Sequence, residues 1–292
     1  MPLARTARSS LAALALTSAL GLPFAACGGA EPPSAFDATA APADAATDAS
    51  ARADGPLFPF DPDARAPDAG GDGACAPNLA GLLRDFRGAG EPGGHPDFES
   101  VGGANGGLDL GIVAEDLGGD RKPVFAGPTK STTTKANFDQ WFRDTPGVNK
   151  TKVITLPFVI EATGRTTFDS TAFFPLDGDP EGFGTTPDQP HDYHFTYELH
   201  TEFLYEGGEV FQFRGDDDVW VFIAGKRVID LGGVHGATAA SVDLDANAAR
   251  LGIARGSAYP LDFFFAERHT SESNFRLETT LRFVNCAPIL PR

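Results

Sequence analysis

Residues 211–233 read Phe-Gln-Phe-Arg-Gly-Asp-Asp-Asp-Val-Trp-Val-Phe-Ile-Ala-Gly-Lys-Arg-Val-Ile-Asp-Leu-Gly-Gly. Two strand-like runs, Val210–Arg214 and Val219–Ile223, leave only Gly215, Asp216, Asp217 and Asp218 to turn the chain. A third run, Arg227–Leu231, follows a second turn at Gly225-Lys226. Strongly β-prone flanks make such a corner rigid. Three consecutive carboxylates on a rigid corner repel one another unless a cation or a basic side chain sits among them. The alternative is a solvated turn, because Gly and Asp are ordinary turn residues.

The rest of the chain is built to match. Apolar residues make up 41% of the 292, enough for a buried core, and Phe is abundant at 24 against one Met. With 34 Gly and 23 Pro and almost no long helical periodicity, that composition predicts many short strands joined by turns. The formal charge of −17 argues against a nucleic-acid partner, whose phosphates need a basic surface.

In 195–205 the odd positions Phe195, Tyr197, Leu199, Phe203 and Tyr205 are apolar, and Thr196, Glu198, His200 and Glu202 are polar. That period of two predicts a strand with one wet face. Leu261, Phe263 and Phe265 repeat it, as do Phe275, Leu277, Leu281 and Phe283. Val219–Ile223 is apolar on both faces, as in a central strand. The reading is an all-β, antiparallel β-sandwich of the jelly-roll or barrel type with long loops. Further strands are expected over 153–160 and 166–176, a helix or strand edge over 79–86, and one short helix over Asn137–Arg143.

Arg5 and Arg8 precede a short apolar run, Leu11–Leu22, and then Phe24-Ala-Ala-Cys27. This is the layout of a targeting segment, too short to span a membrane. A Cys directly after small residues resembles a bacterial lipoprotein lipobox. Residues 1–26 are therefore expected to be a signal peptide, Cys27 the lipidated residue, and the mature chain exported and lipid-anchored at the cell surface or outer membrane. Residues 27–74 are Ala, Asp, Pro and Gly with little periodicity, so a disordered tether of about 35–40 Å root-mean-square length is expected. The folded domain is expected over 75–292. Its Cys75 and Cys286 are the two remaining cysteines, and in an exported chain they most simply pair with each other. That bond would close a loop of about two hundred residues and stabilise by about 4–5 kcal/mol in the chain-entropy picture.

Calcium takes six to eight hard oxygens, commonly two or three carboxylates with amide and main-chain carbonyls. Asp216 and Asp217 are adjacent and can face one ion only across an unusual peptide, for which a cis bond would serve. The EF-hand pattern is absent. The polar loop 266–275 adds Glu267, Arg268, His269, Ser273 and Asn274, able to offer an amide oxygen to a metal or hydrogen bonds to sugar hydroxyls. Asp230-Leu-Gly-Gly-Val-His235 adds two glycines that allow close approach and a histidine that could reach a ligand or simply be structural. No nucleophile elbow, zincin motif or P-loop is present, and no spacing singles out a pair of glycosidase carboxylates, so the chain is read as a non-enzyme.

His95-Pro-Asp-Phe98, Phe138-Asp-Gln-Trp141, Pro146-Gly-Val-Asn149, Phe174-Pro-Leu-Asp177, Phe195-Thr-Tyr-Glu-Leu-His200, Gly215-Asp-Asp-Asp-Val-Trp-Val-Phe-Ile223, Asp230-Leu-Gly-Gly-Val-His235 and Phe263-Phe-Phe-Ala-Glu-Arg-His269 occur in this order. Together they resemble the fibro-slime domain, across roughly residues 79–284. The C-terminal half is similar to the protective-antigen-type lectin domain of flocculin-like adhesins. The resemblance implies a surface module that binds a glycan or cell-surface polysaccharide, with Ca²⁺ held by Asp216, Asp217 and a later-loop Asn, matched here by Asn274. Asp218 stands where that family has Gly. With His235, Glu267, Arg268 and His269 it completes the expected ligand contacts. The competing expectation is a structural matrix module in which the acidic corner pairs with Arg268 or Lys226. A glycan-acting hydrolase is the third.

Overall fold

A computed structural model describes residues 78–99 and 107–285, which fall within one unit of the chain. The signal peptide, Cys27, the 27–74 tether, Cys75 and Cys286 all lie outside the described residues. In chain order the elements are β1 (Asn78–Asp85), α1 (Lys135–Phe138), β2 (Lys150–Pro157), β3 (Val159–Ile160), β4 (Thr166–Ser170), β5 (Phe195–Tyr205) and β6 (Val210–Gly215). There follow β7 (Asp218–Ile223), β8 (Lys226–Leu231), β9 (Thr238–Asp243), α2 (Leu244–Leu251), β10 (Ser257–Glu267), β11 (Phe275–Thr279) and β12 (Arg282–Asn285).

All the strand pairs are antiparallel, and they form two sheets. The larger runs β2-β1-β5-β10-β7-β8, with β12 also on β5, and the smaller runs β3-β4-β11-β6-β9. The spine of the larger sheet is the β5–β10 pair, in register from Phe195↔Glu267 to Tyr205↔Ser257. Period-two alternation sends Tyr197, Leu199, Phe203, Val219, Val221, Phe263 and Phe265 inward. There they meet Phe211, Phe213, Phe275 and Leu277 of the smaller sheet in one buried core. This is the expected sandwich.

Several expected elements are shorter or displaced. The run 153–160 divides at Phe158 between the two sheets, and 166–176 is strand only through Ser170. The helix expected at Asn137–Arg143 is the single turn α1, started by Thr134, whose side chain accepts from the Asn137 N–H, and followed by turns. Residues 79–86 are strand β1 rather than helix. Helix α2 was not expected. It starts on Asp243, whose carboxylate accepts from Ala246 N–H, and stops at Gly252, whose φ of 68° suits a residue without a Cβ.

The wet face expected on β5 is not wet. Thr196, Glu198 and His200 are each 3% exposed or less. A layer from the loops between β1 and β2 covers this side of the large sheet, packing Phe98, Ile112, Phe138, Trp141 and Phe142 on Trp220, Phe222 and Phe264. The polar side chains of β5 are neutralised beneath it. Glu198 accepts from Arg84 at 3.0 Å and from Lys122 at 2.5 and 2.6 Å, while His200 lies 2.6 Å from Asp262, itself paired with Arg121. Burial alone would raise the Glu198 pKa, but His200, Arg84 and Lys122 outweigh it and hold the carboxyl at about 2. Alternation correctly divided the faces; it could not distinguish a buried polar face from a solvated one.

Candidate functional site

Strands β6 and β7 are not a hairpin. β6 ends at Gly215 in the smaller sheet and β7 begins at Asp218 in the larger, so Asp216 and Asp217 carry the chain across the sandwich. Two other segments cross near the same point: 232–237, from β8 to β9, and 268–274, from β10 to β11. The approach is close. A Cβ on Gly215 would sit 2.2 Å from the Asn274 carbonyl oxygen, and one on Gly233 2.7 Å from the backbone of Asp109. Glycine is required at both.

The three crossovers enclose a cleft of about 350 Å³, lined by Asp216, Asp217, Val234, His235, Gly236, His269, Ser271 and Glu272. The Asp216–Asp217 peptide is cis, and both residues line the same cleft. The Asp216 carboxylate accepts from the Asn274 N–H at 2.5 Å and from the Asn274 side-chain amide at 2.7 Å. The Asp217 carboxylate accepts from the His235 N–H at 3.1 Å and the Arg268 N–H at 3.0 Å. Each acid therefore ties a neighbouring crossover to the corner.

Asp218 does something else. It is fully buried and takes Arg268 Nε at 2.5 Å, Arg268 Nη2 at 3.1 Å and the Gly233 N–H at 2.6 Å. Arg268 is 1% exposed, lies over the Trp141 ring at 4.6 Å and donates to the carbonyls of Asp97 and Ser131. Burial would lower the Arg268 pKa, but Asp218 beside it more than offsets that and the pKa rises. The pair is a pin between the corner and the outer layer. Asp218 and Arg268 are thus out of reach of a ligand, a correction to their expected contact role. Lys226, the other basic residue expected to pair with the corner, pairs instead with Asp116.

Glu267 is also buried, at 1% exposure, and one of its carboxylate oxygens has no hydrogen-bond partner. It too is removed from direct ligand contact. Burial, then the neighbouring Asp217, push its pKa well above the ordinary range. Burial pushes Asp217 up to about 8 against the opposing pull of Arg268, and raises Asp216 as well. Arg268 commits its guanidinium to Asp218 and reaches Asp217 only through its charge and its main-chain N–H, so without a bound cation burial favours the protonated forms of Asp216, Asp217 and Glu267.

His235 lines the cleft, but both ring nitrogens lie 3.0 Å from main-chain carbonyls, of Gly236 and Leu231. Its ring holds the loop as much as it faces the opening. His269 is one-third exposed, 3.5 Å from Glu99. Asn274 sits beside the acids, its amide nitrogen turned to Asp216 and Glu272. Val234, Gly236, Ser271 and Glu272 were not expected. They are small or polar loop residues whose membership depends only on where the crossovers meet.

Among the described residues no three His, Cys, Asp or Glu side chains converge as a metal site by themselves. An ion held here would draw on the Asp216 and Asp217 carboxylates together with carbonyl, amide and water oxygens. That donor chemistry suits a hard cation such as Ca²⁺. The Asn274 amide would have to turn its oxygen to the site, and the O and N of an amide are assigned from their hydrogen bonds.

Three Dictyostelium discoideum proteins resemble much of this chain. Protein psiQ is 39% identical over 195 residues, covering 60% of the chain and 19% of psiQ. Protein psiR is 39% identical over 209 residues, with 66% and 20% covered, and protein psiD 39% over 206, with 64% and 39%. The chain thus spans less than two-fifths of the length of these relatives. Among solved structures, a PA14 sugar-binding domain from an RTX adhesin is 12% identical with a TM-score of 0.29, covering 70% of this chain and 90% of that one. The PA14 domain of the antifreeze protein MpAFP is 12% identical with a TM-score of 0.28, covering 77% and 94%. The sequence profile of the PA14 domain matches residues 141–289, a little over half of the chain, including all three crossovers and both central strands. The chain belongs to the PA14 domain family.

Proposed function

We propose that this PA14 domain is a non-catalytic carbohydrate-binding module whose cleft grips sugar hydroxyls through a calcium ion at Asp216 and Asp217. The observation that carries the reading is the pair of adjacent buried carboxylates lining one cleft, with Glu267 behind them and Arg268 committed to Asp218. Ionising that many neighbouring buried carboxyls with no cation among them is costly, and a divalent cation removes the cost. Calcium bound there would accept vicinal sugar hydroxyls in place of water. The chain's own residues shape the rest: His235 and Asn274 hold the crossovers, and His269, Ser271 and Glu272 supply polar walls. The fibro-slime resemblance, which extends N-terminally beyond the matched PA14 residues, is part of the same reading.

The test is a glycan array read with 1–2 mM (about) calcium and again with chelator, for the parent and Asp217→Asn. Calcium-dependent signal lost in D217N supports the reading. Equal signal in all four conditions, or no calcium shift of the thermal melt, ends it. The pin formed by Asp218 and Arg268 favours a second reading for part of the corner, that of a purely structural matrix module. Unchanged stability and unchanged glycan signal in Asp217→Ala would favour it. The surface placement of the module, through lipid on Cys27, is likewise a proposal. Metabolic labelling with a fatty acid in the parent and in Cys27→Ala checks it, with label retained in C27A as the contrary result.

A further inference from the structure

Asp85 closes β1, and Asp192 lies just ahead of β5, separated from Phe195 by Tyr193 and His194. The register Asp85↔Phe195↔Glu267 places Asp85 on the same rim of the large sheet as the cleft, two strands from Glu267. Two strand spacings are about 10 Å. Both acids are buried, Asp85 at 1% and Asp192 at 2% exposure. One oxygen of Asp85 accepts from the Phe183 N–H, and Asp192 accepts from the His194 N–H. The second oxygen of each, Asp85 Oδ1 and Asp192 Oδ2, is buried with no hydrogen-bond partner. An unmatched buried acceptor costs about 1–3 kcal/mol, and more when it is charged.

The surroundings leave both free oxygens unmatched. Asp179 acts on Asp85, and Asp85, Asp177 and Glu91 act on Asp192. Against these carboxylates stand Lys150 and Arg87, beside Asp85, Lys152, which pairs with Asp179 at 3.0 Å, His191, 2.6 Å from Asp177, and His194, 3.9 Å from Glu91. None of these bases hydrogen-bonds Asp85 Oδ1 or Asp192 Oδ2. Gly182 closes the site from the loop side, where a Cβ would lie 2.8 Å from Asp85 Oδ2. Backbone, rather than a side chain, therefore borders Asp85 on that side.

We propose that Asp85 and Asp192 hold a second hard divalent cation, of the calcium class, on the rim that carries the Asp216–Asp217 cleft. Its remaining ligands would be loop carbonyls and water, the usual completion of a two-carboxylate calcium shell. The ion would fasten the loop between β4 and β5 to the end of β1. This inference does not depend on calcium in the cleft. Calorimetric titration with calcium chloride at neutral pH, after chelator dialysis, separates the two sites. The parent is expected to bind two equivalents, Asp85→Asn/Asp192→Asn one, and Asp217→Asn one. Parent stoichiometry retained in the double variant overturns the proposal. A single equivalent in the parent that disappears in D217N overturns it too, while leaving the cleft reading intact; one that disappears only in the double variant upholds it and removes the cleft reading. If the double variant does not fold, Asp192→Asn alone is read by terbium luminescence, and an unchanged signal counts against the site.

Discussion

Two groups of buried charge sit on the same large sheet and follow opposite rules. Under the outer layer, Glu198 is held by Arg84 and Lys122, and Asp262 by Arg121 and His200. At the rim, Asp216, Asp217 and Glu267 are buried, and the Arg268 guanidinium that acts on Asp217 is paired with Asp218. The first group is closed, and its charges serve to join two layers. The second lacks such a side-chain ion pair, and burial raises its pKa values beside a cleft. A fold gains nothing from uncompensated buried acids, so the contrast separates architecture from function more sharply than burial or polarity does.

The contrast breaks most visibly at the closed pairs. Glu198→Ala leaves Arg84 and Lys122 buried without their acid, and a loss of about 3–5 kcal/mol is expected in denaturant unfolding. Asp218→Ala strands Arg268 and is expected to cost a similar amount while also loosening the cleft. A loss below about 1 kcal/mol in either would mean that water reaches these groups and that the outer layer is not a seal.

The rim should behave in the opposite sense. Asp217→Asn removes a charge that burial disfavours, so the calcium-free protein is expected to gain about 1–2 kcal/mol near pH 8 and almost nothing at or below about pH 4. The sign follows from the raised pKa of about 8. An acid whose folded pKa exceeds its unfolded value contributes stability while protonated, and that stability is lost as the pH rises toward the folded pKa. Asp192, also at about 8, and Asp85, at about 6, act in the same direction. Glu198, at about 2, acts oppositely, losing its contribution as the pH falls below about 4.5. Calcium-free stability should therefore be highest at about pH 4, where the three raised acids are still largely protonated in the unfolded chain, and decline toward pH 8, with saturating calcium reversing the upper limb. Melts across pH with calcium and with chelator measure this. A calcium-free profile flat from pH 5 to 8 would show that the rim acids are not desolvated.

Much of this could be read in the sequence, and what could not has a physical reason. Val219–Ile223, Phe263 and Phe265 announced the sandwich because alternation and run length report directly on burial. Asp216, Asp217, His235 and His269, singled out from turn chemistry and acid clustering, all line one cleft, because those signals are local. The partners of buried charges are not local. Glu198 meets Arg84 and Lys122 across 114 and 76 positions, and Asp218 meets Arg268 across 50. From sequence, Glu198 therefore resembled a solvated residue and Asp218 a third ligand. Helix α2 was legible in principle, because Asp243 and Gly252 bracket it, but it is short and rich in alanine.

The finest test of the contrast lies at Glu272. It lines the cleft, is exposed, and raises the Asp216 pKa after burial and the opposing Asn274 hydrogen bonds have acted. Its carboxylate accepts from the Asn274 amide at 3.2 Å, so it could either steer a cation electrostatically or share in holding it. Exposed charges at this range are screened and weak. Glu272→Gln is therefore expected to leave unfolding stability unchanged and to weaken calcium binding only about two- to fivefold, an effect that fades in high salt. Titration of calcium into E272Q at low and high ionic strength measures it. Loss of binding as complete as in D217N, independent of salt, would make Glu272 a ligand and extend the uncompensated rim from buried acids to the open wall of the cleft.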